Sequence, residues 1–485
     1  MPGLGGRLAT LRLPHRRGKR SAVVVAVLLL AVLAGLGVGL GVTALANGQQ
    51  ASWVAATVPP PPPVVVQPAL RPAAAEGPAP SPAGVGAVLE PLIVAGGLGT
   101  LSGQVIDPAT GRVLWRHDPT TALMPGSTAK LLTASAALLT LDHQARLRTT
   151  VVAGAEPGTV VLVGGGDPTL SAAGPGTATG YPGAARLDDL VDQVRVHGPV
   201  SRVLVDVSRY VGDAFAPGWF PTDVAGGYIA PIEPVMLDGG RADPGQEVSP
   251  RAAKPATAAA AELARRLGAD PDTVTVGPAP PGAAVLGEVS SPPVQDLVAT
   301  ALTESDNVLA EALAREVARA TGAPPSFSGA SQAALAVLRG HGFDVSGATM
   351  VDGSGLSIDD AVPATLLTEL LGAAAAPDGA GAGELRADES DQQRTVSLRP
   401  LLVGLPVAGG SGTLADRYHG PAAGGRGWVR AKTGTLTGVN SLAGTVLDSD
   451  GRMLVFALLS NGPNPVSVRP RLDSLAAGLR SCGCH

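Results

Sequence analysis

Three short stretches hold residues that together could carry out acyl transfer. Ser127-Thr128-Ala129-Lys130 sets a hydroxyl and an amine three residues apart. Ser305-Asp306-Asn307 offers a second hydroxyl and a side-chain amide. Lys432-Thr433-Gly434-Thr435 offers a second amine with two more hydroxyls. A serine hydroxyl is a weak nucleophile until a neighbouring base takes its proton. A neutral lysine can be that base, whereas an arginine cannot be deprotonated in a protein. The chain has four lysines (Lys19, Lys130, Lys254 and Lys432) against 31 arginines, and two of the three beyond residue 20 fall in these stretches. The chemistry expected is attack by Ser127 with Lys130 as base. Burial and a second positive charge, which Lys432 can supply, depress the Lys130 pKa. Ser305 relays a proton, and Asn307 holds a substrate amide.

Local elements must bring these groups together. A helical pattern starts at Ser127, with Leu131, Ala134, Leu138 and Leu141 at three- and four-residue spacing. One turn of such a helix sets Ser127 and Lys130 on one face. Free N–H groups at its start suit a developing oxyanion. Asn307 to Ala320 reads as an amphipathic helix, with Leu309, Leu313 and Val317 four apart. Leu101–Val105 and Val113–His117 read as a hairpin around Thr110-Gly111, and residues 150–163 as further strands. Trp428–Thr433, Ser441–Leu447 and Arg452–Leu459 read as three strands, followed by a helix over 466–480. Strands from both ends of the chain with helices between them predict an α/β (α+β) domain whose sheet is closed by its two termini. Residues 156–290, richer in Gly and Pro, read as an inserted smaller domain. The Ala/Gly-rich stretch 373–393 reads as a surface loop.

Each motif alone is weak. With four lysines in the chain, roughly 0.2 chance matches to Ser-x-x-Lys are expected. The plain structural alternative makes Ser127 and Ser305-Asp306-Asn307 helix caps and Lys432-Thr433-Gly434 a strand end. Order and local context together are specific. The set resembles the signature of penicillin-binding proteins and serine β-lactamases. About 175 residues separate Lys130 from Ser305, more than a compact β-lactamase has there. This spacing is similar to the D-alanyl-D-alanine carboxypeptidase/endopeptidase family, the class C low-molecular-mass penicillin-binding proteins. Gly164-Gly165-Gly166-Asp167-Pro168, Tyr228-Ile229-Ala230-Pro231, Asp352-Gly353-Ser354-Gly355-Leu356-Ser357 and Gly412-Thr413-Leu414 are similar to that family's landmarks.

The resemblance implies a β-lactamase/transpeptidase-like domain with an antiparallel sheet flanked by helices, formed by 85–155 and 291–485. It implies a serine DD-peptidase that cleaves the terminal D-Ala-D-Ala bond of peptidoglycan stem peptides through an acyl-enzyme on Ser127. β-Lactams would be inhibitors. It further implies that Lys432, Thr433 and Thr435, with Gly434 between them, bind the substrate carboxylate. The N–H groups of Ser127 and Thr435 would form the oxyanion hole. A β-lactamase or esterase on the same fold, or a non-catalytic cell-wall-binding homologue, are the competing readings.

The rest of the chain sets the compartment. Residues 1–20 hold six basic residues and no acidic one, and Ser21 to Ala46 carries no charge. About 20 apolar residues span a bilayer as a helix, and the basic flank stays inside. Length favours an uncleaved anchor over 21–46, while Ala44-Leu45-Ala46 is a signal-peptidase site in a suitable place. Either way, the remainder lies outside the cytoplasm, at the membrane or secreted to the cell wall. Residues 47–84 include Pro59 to Pro63 and read as an extended linker. The chain carries a formal charge of −5, and the part after residue 20 has 29 basic against 40 acidic residues. An acidic body argues against nucleic-acid binding, which depends on phosphate neutralisation. The seven histidines show no metal spacing, and no motif calls for a cofactor. Cys482 and Cys484 are read as an exposed oxidisable tail, since a bridge across one residue is constrained.

Overall fold

A computed structural model describes residues 77–246, 248–377, 389–462 and 464–484. The basic segment, the apolar run 21–46 and all of the linker up to residue 76 lie outside the described residues. The described part belongs to one unit, Pro72–His485.

Leaving aside single-turn helices, the chain order is α1 (Pro82–Val94), β1 (Thr100–Asp107), β2 (Arg112–His117), α2 (Lys130–Thr140), β3 (Arg146–Ala153) and β4 (Thr159–Val163). Then come α3 (Leu187–Arg195), β5 (Arg202–Asp206), α4 (Pro255–Leu267), β6 (Thr275–Val276) and β7 (Val285–Pro293). Helices α5 (Val294–Thr303), α6 (Asn307–Ala320), α7 (Phe327–Gly340), α8 (Ala364–Ala375) and α9 (Glu389–Leu398) follow. The chain closes with β8 (Val429–Leu436), β9 (Val439–Leu447), β10 (Met453–Asn461) and α10 (Pro465–Arg480).

The first sheet runs β2-β1-β10-β9-β8 and is antiparallel throughout. Strand β10 shows why it is buried on both faces. Leu454, Phe456 and Leu458 pack with Val468, Leu472 and Leu475 of α10 and with Val85 and Leu89 of α1. The alternate residues Val455, Ala457 and Leu459 pack into the core with Leu366, Leu367 and Leu370 of α8. Period-two geometry thus lets one apolar strand serve two cores. Terminal strands do close this sheet, because β1 pairs with β10 from Thr100 opposite Asn461 to Ile106 opposite Val455.

The second sheet runs β6-β5-β4-β3-β7, with parallel pairs only at β4–β5 and β5–β6. Here the expected boundary at residue 155 shifts. β3 pairs with β4 and β7, not with the first sheet. The chain enters and leaves this inserted sheet at adjacent points, since Val294 N–H donates to the Ala145 carbonyl at 2.9 Å. The insertion therefore takes in 146–293 rather than 156–290. Apolar alternation marks β3 as a strand but carries no information about which sheet accepts it.

Three other expectations are corrected. The end of the proline-rich stretch is already helical: Ser81 caps α1 by accepting from Gly84 N–H, and Pro82 sits in the first turn, where it loses no helical hydrogen bond. The stretch 373–393 is a loop neither at its start nor at its end, because α8 runs to Ala375 and α9 begins at Glu389. Residues 378–388 lie outside the described residues. The cysteines are not an exposed tail: Cys482 is buried against the α1–α10 core and is paired with Cys484 as a disulfide. Ser81 N–H donates to the Cys484 carbonyl at 2.5 Å. Among the described residues no helix is long and apolar enough to cross a membrane.

Candidate active site

The nucleophile candidate lies on a short 3-10 turn, Gly126–Ala129, that feeds into α2. Thr128 Oγ1 donates to the Pro125 carbonyl at 2.8 Å, and Ser441 Oγ of β9 donates to the same carbonyl at 2.5 Å. These bonds tie the turn to the first sheet. Ser127 caps nothing, so its hydroxyl is not used up by the helix as the structural alternative supposed. Lys130 Nζ lies 2.9 Å from Ser127 Oγ, 2.5 Å from Asn307 Oδ1 and 2.7 Å from the Ser354 carbonyl.

Asp306 is the cap of α6, with its Oδ1 accepting from Leu309 N–H at 2.8 Å. Its other oxygen accepts from Tyr181 OH at 2.8 Å and Arg241 Nη2 at 2.7 Å, both from the inserted domain. Asn307, next in the chain, also donates through Nδ2 to the Tyr228 carbonyl at 2.9 Å. Lys432 Nζ on β8 lies 2.8 Å from Ser305 Oγ. Asp306 therefore does serve as a cap, and the flanking Ser305 and Asn307 still reach the two lysines.

Two glycines let the backbone at Ser127 and at Thr435 approach closely. A Cβ on Gly126, whose φ is +52°, would lie 3.1 Å from Thr435 N, and a Cβ on Gly434 would lie 3.1 Å from Ser127 N. Bare backbone at both positions brings the N–H groups of Ser127 and Thr435 to neighbouring places. A cleft of about 940 Å³ opens here, lined by Ser127, Ser305, Asn307, Thr435, Tyr181 and Arg241, among others. Thr433 does not line it; its hydroxyl pairs with Thr413 Oγ1 at 2.9 Å.

Electrostatics disfavours the charged form of both lysines. Burial lowers the Lys130 pKa to about 8, with charge on Asp352, Glu311, Asp306 and Asp360 partly restoring it. Burial, and then the charge on Lys130, pushes Lys432 well below the usual lysine value. Burial thus disfavours the charged form of both amines, and a positive charge on either one disfavours charge on the other. Asp306 is held at about 2: burial raises it, but Arg241 and Arg251 outweigh that.

Sequence reasoning missed several contributors. Tyr181 and Arg241 were not singled out because they lie in the insertion. Asp352 stands in one of the family-like stretches, where the sequence gives it no role of its own. It accepts from Trp219 Nε1 at 2.6 Å and from three backbone N–H groups, those of Ser354, Gly355 and Ser357. It thereby shapes the loop that holds Lys130.

The model of the D-Ala-D-Ala carboxypeptidase 3 (S13) family matches residues 87–247 and 241–479. The chain belongs to that family. It is a family of serine peptidases, so the chain is a serine-type carboxypeptidase by descent. It is 47% identical over 474 residues to "Carboxypeptidase DacB" of Mycolicibacterium smegmatis, covering 97% of this chain and 98% of the relative. Among solved structures, penicillin binding protein 4 (dacB) from Haemophilus influenzae aligns with a TM-score of 0.64 at 20% identity, over 82% of this chain and 98% of that one. The same protein complexed with a β-lactam aligns with a TM-score of 0.60 at 19% identity, over 81% of this chain and 98% of that one. At such identities these two structures bear on the fold, which is the mixed α/β architecture expected.

Proposed function

We propose that the chain removes the terminal D-alanine from peptidoglycan stem peptides through an acyl-enzyme on Ser127, and that β-lactams trap the same serine. One observation carries this reading. Residues from three distant parts of the chain meet in two hydrogen-bonded groups: Ser127–Lys130–Asn307 and, beside it, Ser305–Lys432.

Neutral Lys130 takes the Ser127 proton as Oγ attacks the scissile carbonyl. The developing oxyanion is received by the N–H groups of Ser127 and Thr435. Ser305, between the substrate and Lys432, passes a proton to the departing D-alanine amine. Asn307 orients the penultimate amide while its Oδ1 holds Lys130. A substrate carboxylate arriving near Thr435 and Lys432 favours the charged form of Lys432, countering the burial that disfavours it. A charged Lys432 then favours the neutral form of Lys130, so substrate binding itself readies the base. Water hydrolyses the acyl-enzyme by the same route in reverse. The Thr433 hydroxyl is paired with that of Thr413 beside this group. The family membership and the near-full-length relative named a carboxypeptidase support this activity.

On the same reading, the charge-free run 21–46 anchors the protein at the outer face of the cell membrane. The support is the length of that run and its basic flank.

The purified protein incubated with muropeptides ending in D-Ala-D-Ala tests the activity. Mass spectrometry is expected to show loss of one alanine per stem, with a stable adduct on fluorescent penicillin labelling. Rapid turnover of penicillin without muropeptide cleavage would assign a β-lactamase instead.

A further inference from the structure

Glu311 lies one helical turn beyond Asn307 on α6, so the two side chains share a face. It is buried, and the reaction scheme gives it no part. Both of its carboxyl oxygens accept from the Gly353 N–H, at 2.9 and 3.0 Å. The Gly353 carbonyl accepts from Thr133 Oγ1 of α2 at 2.7 Å. The next carbonyl, that of Ser354, accepts from Lys130 Nζ at 2.7 Å. Only glycine fits at 353: a Cβ there would lie 2.7 Å from Ala314 Cβ, 3.2 Å from Glu311 Oε2 and 3.3 Å from Thr133 Oγ1.

We propose that Glu311 is a positioning residue of the acylation step: it fixes the Gly353–Ser354 peptide whose carbonyl grips the Lys130 amine, while Asn307 on the same helix face grips that amine from the other side. The inference rests on Ser127 and Lys130 acting as nucleophile and base. It accounts for a costly feature. A buried carboxyl with no cationic side chain hydrogen-bonded to it among the described residues is kept against its desolvation penalty, as functional sites do.

The surrounding charges make the role measurable. Asp306, Glu311 and Arg315 on α6, Asp352 and Asp360 on the following loop, and Lys432 on β8 surround Lys130 or Glu311. Burial and then Asp352 raise Glu311 to about 8, and the same two causes push Asp360 well above the usual carboxylate range. Glu311 is therefore mostly neutral at pH 7, and it ionises over the range in which Lys130 must lose its proton. A negative Glu311 stabilises the charged amine and holds the base back. Removing that charge lets Lys130 become neutral at lower pH.

The test is single-turnover acylation by fluorescent penicillin across pH 5–10, on the full-length protein. Glu311→Gln keeps the shape and one acceptor for Gly353 N–H but cannot ionise. Its acid limb is expected to move to lower pH by at least about half a unit, with the plateau rate within about threefold of wild type. Glu311→Ala releases the peptide, and its plateau rate constant is expected to fall at least about tenfold while noncovalent affinity changes little. An unmoved acid limb in Glu311→Gln overturns the inference, whether or not Glu311→Ala folds. A wild-type plateau in a folded Glu311→Ala overturns it too. A Ser127→Ala control separates the two levels. Labelling of that control defeats the acyl-enzyme reading itself, whereas a silent control with unmoved Glu311 profiles defeats only the positioning role.

Discussion

Ser305 and Lys432 meet at 2.8 Å between hydroxyl and amine, although 127 residues separate them. The contact depends on an unusual backbone. Ser305 has φ +57°, in the left-handed region that a residue with a side chain seldom occupies. That turn lets Ser305 reach β8 while Asn307, two residues on, reaches Lys130. The strain is retained at the point where the two halves of the site join, as expected where function depends on it.

Ser127→Ala is expected to abolish both penicillin labelling and D-alanine release. Lys130 keeps its bonds to Asn307 and Ser354, so no buried donor is stranded. The stability change should stay within about 1 kcal/mol, as for a single net hydrogen bond. Labelling gels and a thermal melt check both halves. A covalent penicilloyl adduct on the variant removes Ser127 from the mechanism.

The lysines should respond differently to arginine. Lys130→Arg cannot act as a base, and its acylation rate is expected to fall by about 10³-fold. Lys432→Arg keeps a cation for the substrate carboxylate but must fit a larger group into a fully buried slot, at about 1–3 kcal/mol. Measurable acylation should survive in it. In the wild type, acylation should rise with pH, pass its midpoint near 8, where Lys130 is half neutral, and level off above that. The stability sign follows from the same shift. The folded value of Lys130, about 8, lies below its ordinary 10.5, so burial of the charged amine weakens the fold below pH 8, and that loss is recovered between 8 and 10.5. Stopped-flow acylation and melts across pH give both curves. Equal loss in the two arginine variants would refute the division of roles.

Arg241→Met should damage the site from a distance. It leaves the buried Asp306 carboxylate with Tyr181 and with the more remote charge of Arg251. Breaking a buried pair costs roughly 3–5 kcal/mol. Asp306 sits at about 2 against an ordinary 3.8, so its contribution is fully present above pH 3.8 and is lost as pH falls through 2. In the variant that loss should begin at a higher pH. Urea unfolding at pH 7 and pH 4 measures it; a variant with wild-type stability at both would show that the ion pair is dispensable.

The apolar run 21–46 predicts a membrane-bound native protein. Twenty-six residues at about 1.5 Å each would span about 39 Å as a helix, more than the roughly 30 Å hydrocarbon core. Fractionation and N-terminal sequencing from the native host decide the matter. A mature chain starting at Asn47 in the culture fluid would show that Ala44-Leu45-Ala46 is cut.

Much of this protein can be read along the chain. The pairing of Ser127 with Lys130, the helix from Asn307 to Ala320 and the strands of the first sheet are local patterns. Helical spacing, strand alternation and motif chemistry act over a few residues, and one sequence displays them. Tertiary structure alone decided what depends on distant partners. β3 looks the same in sequence whichever sheet receives it, and the β7 pairing partner lies more than a hundred residues away. Cys482 is buried because α10 happens to lie against α1. Glu311 looks like one more charge on an amphipathic helix until the glycine at 353 brings a peptide against it. The depressed pKa values of Lys130 and Lys432 also belong to the fold, since desolvation is set by whatever packs around an amine and is written nowhere in the residues beside it.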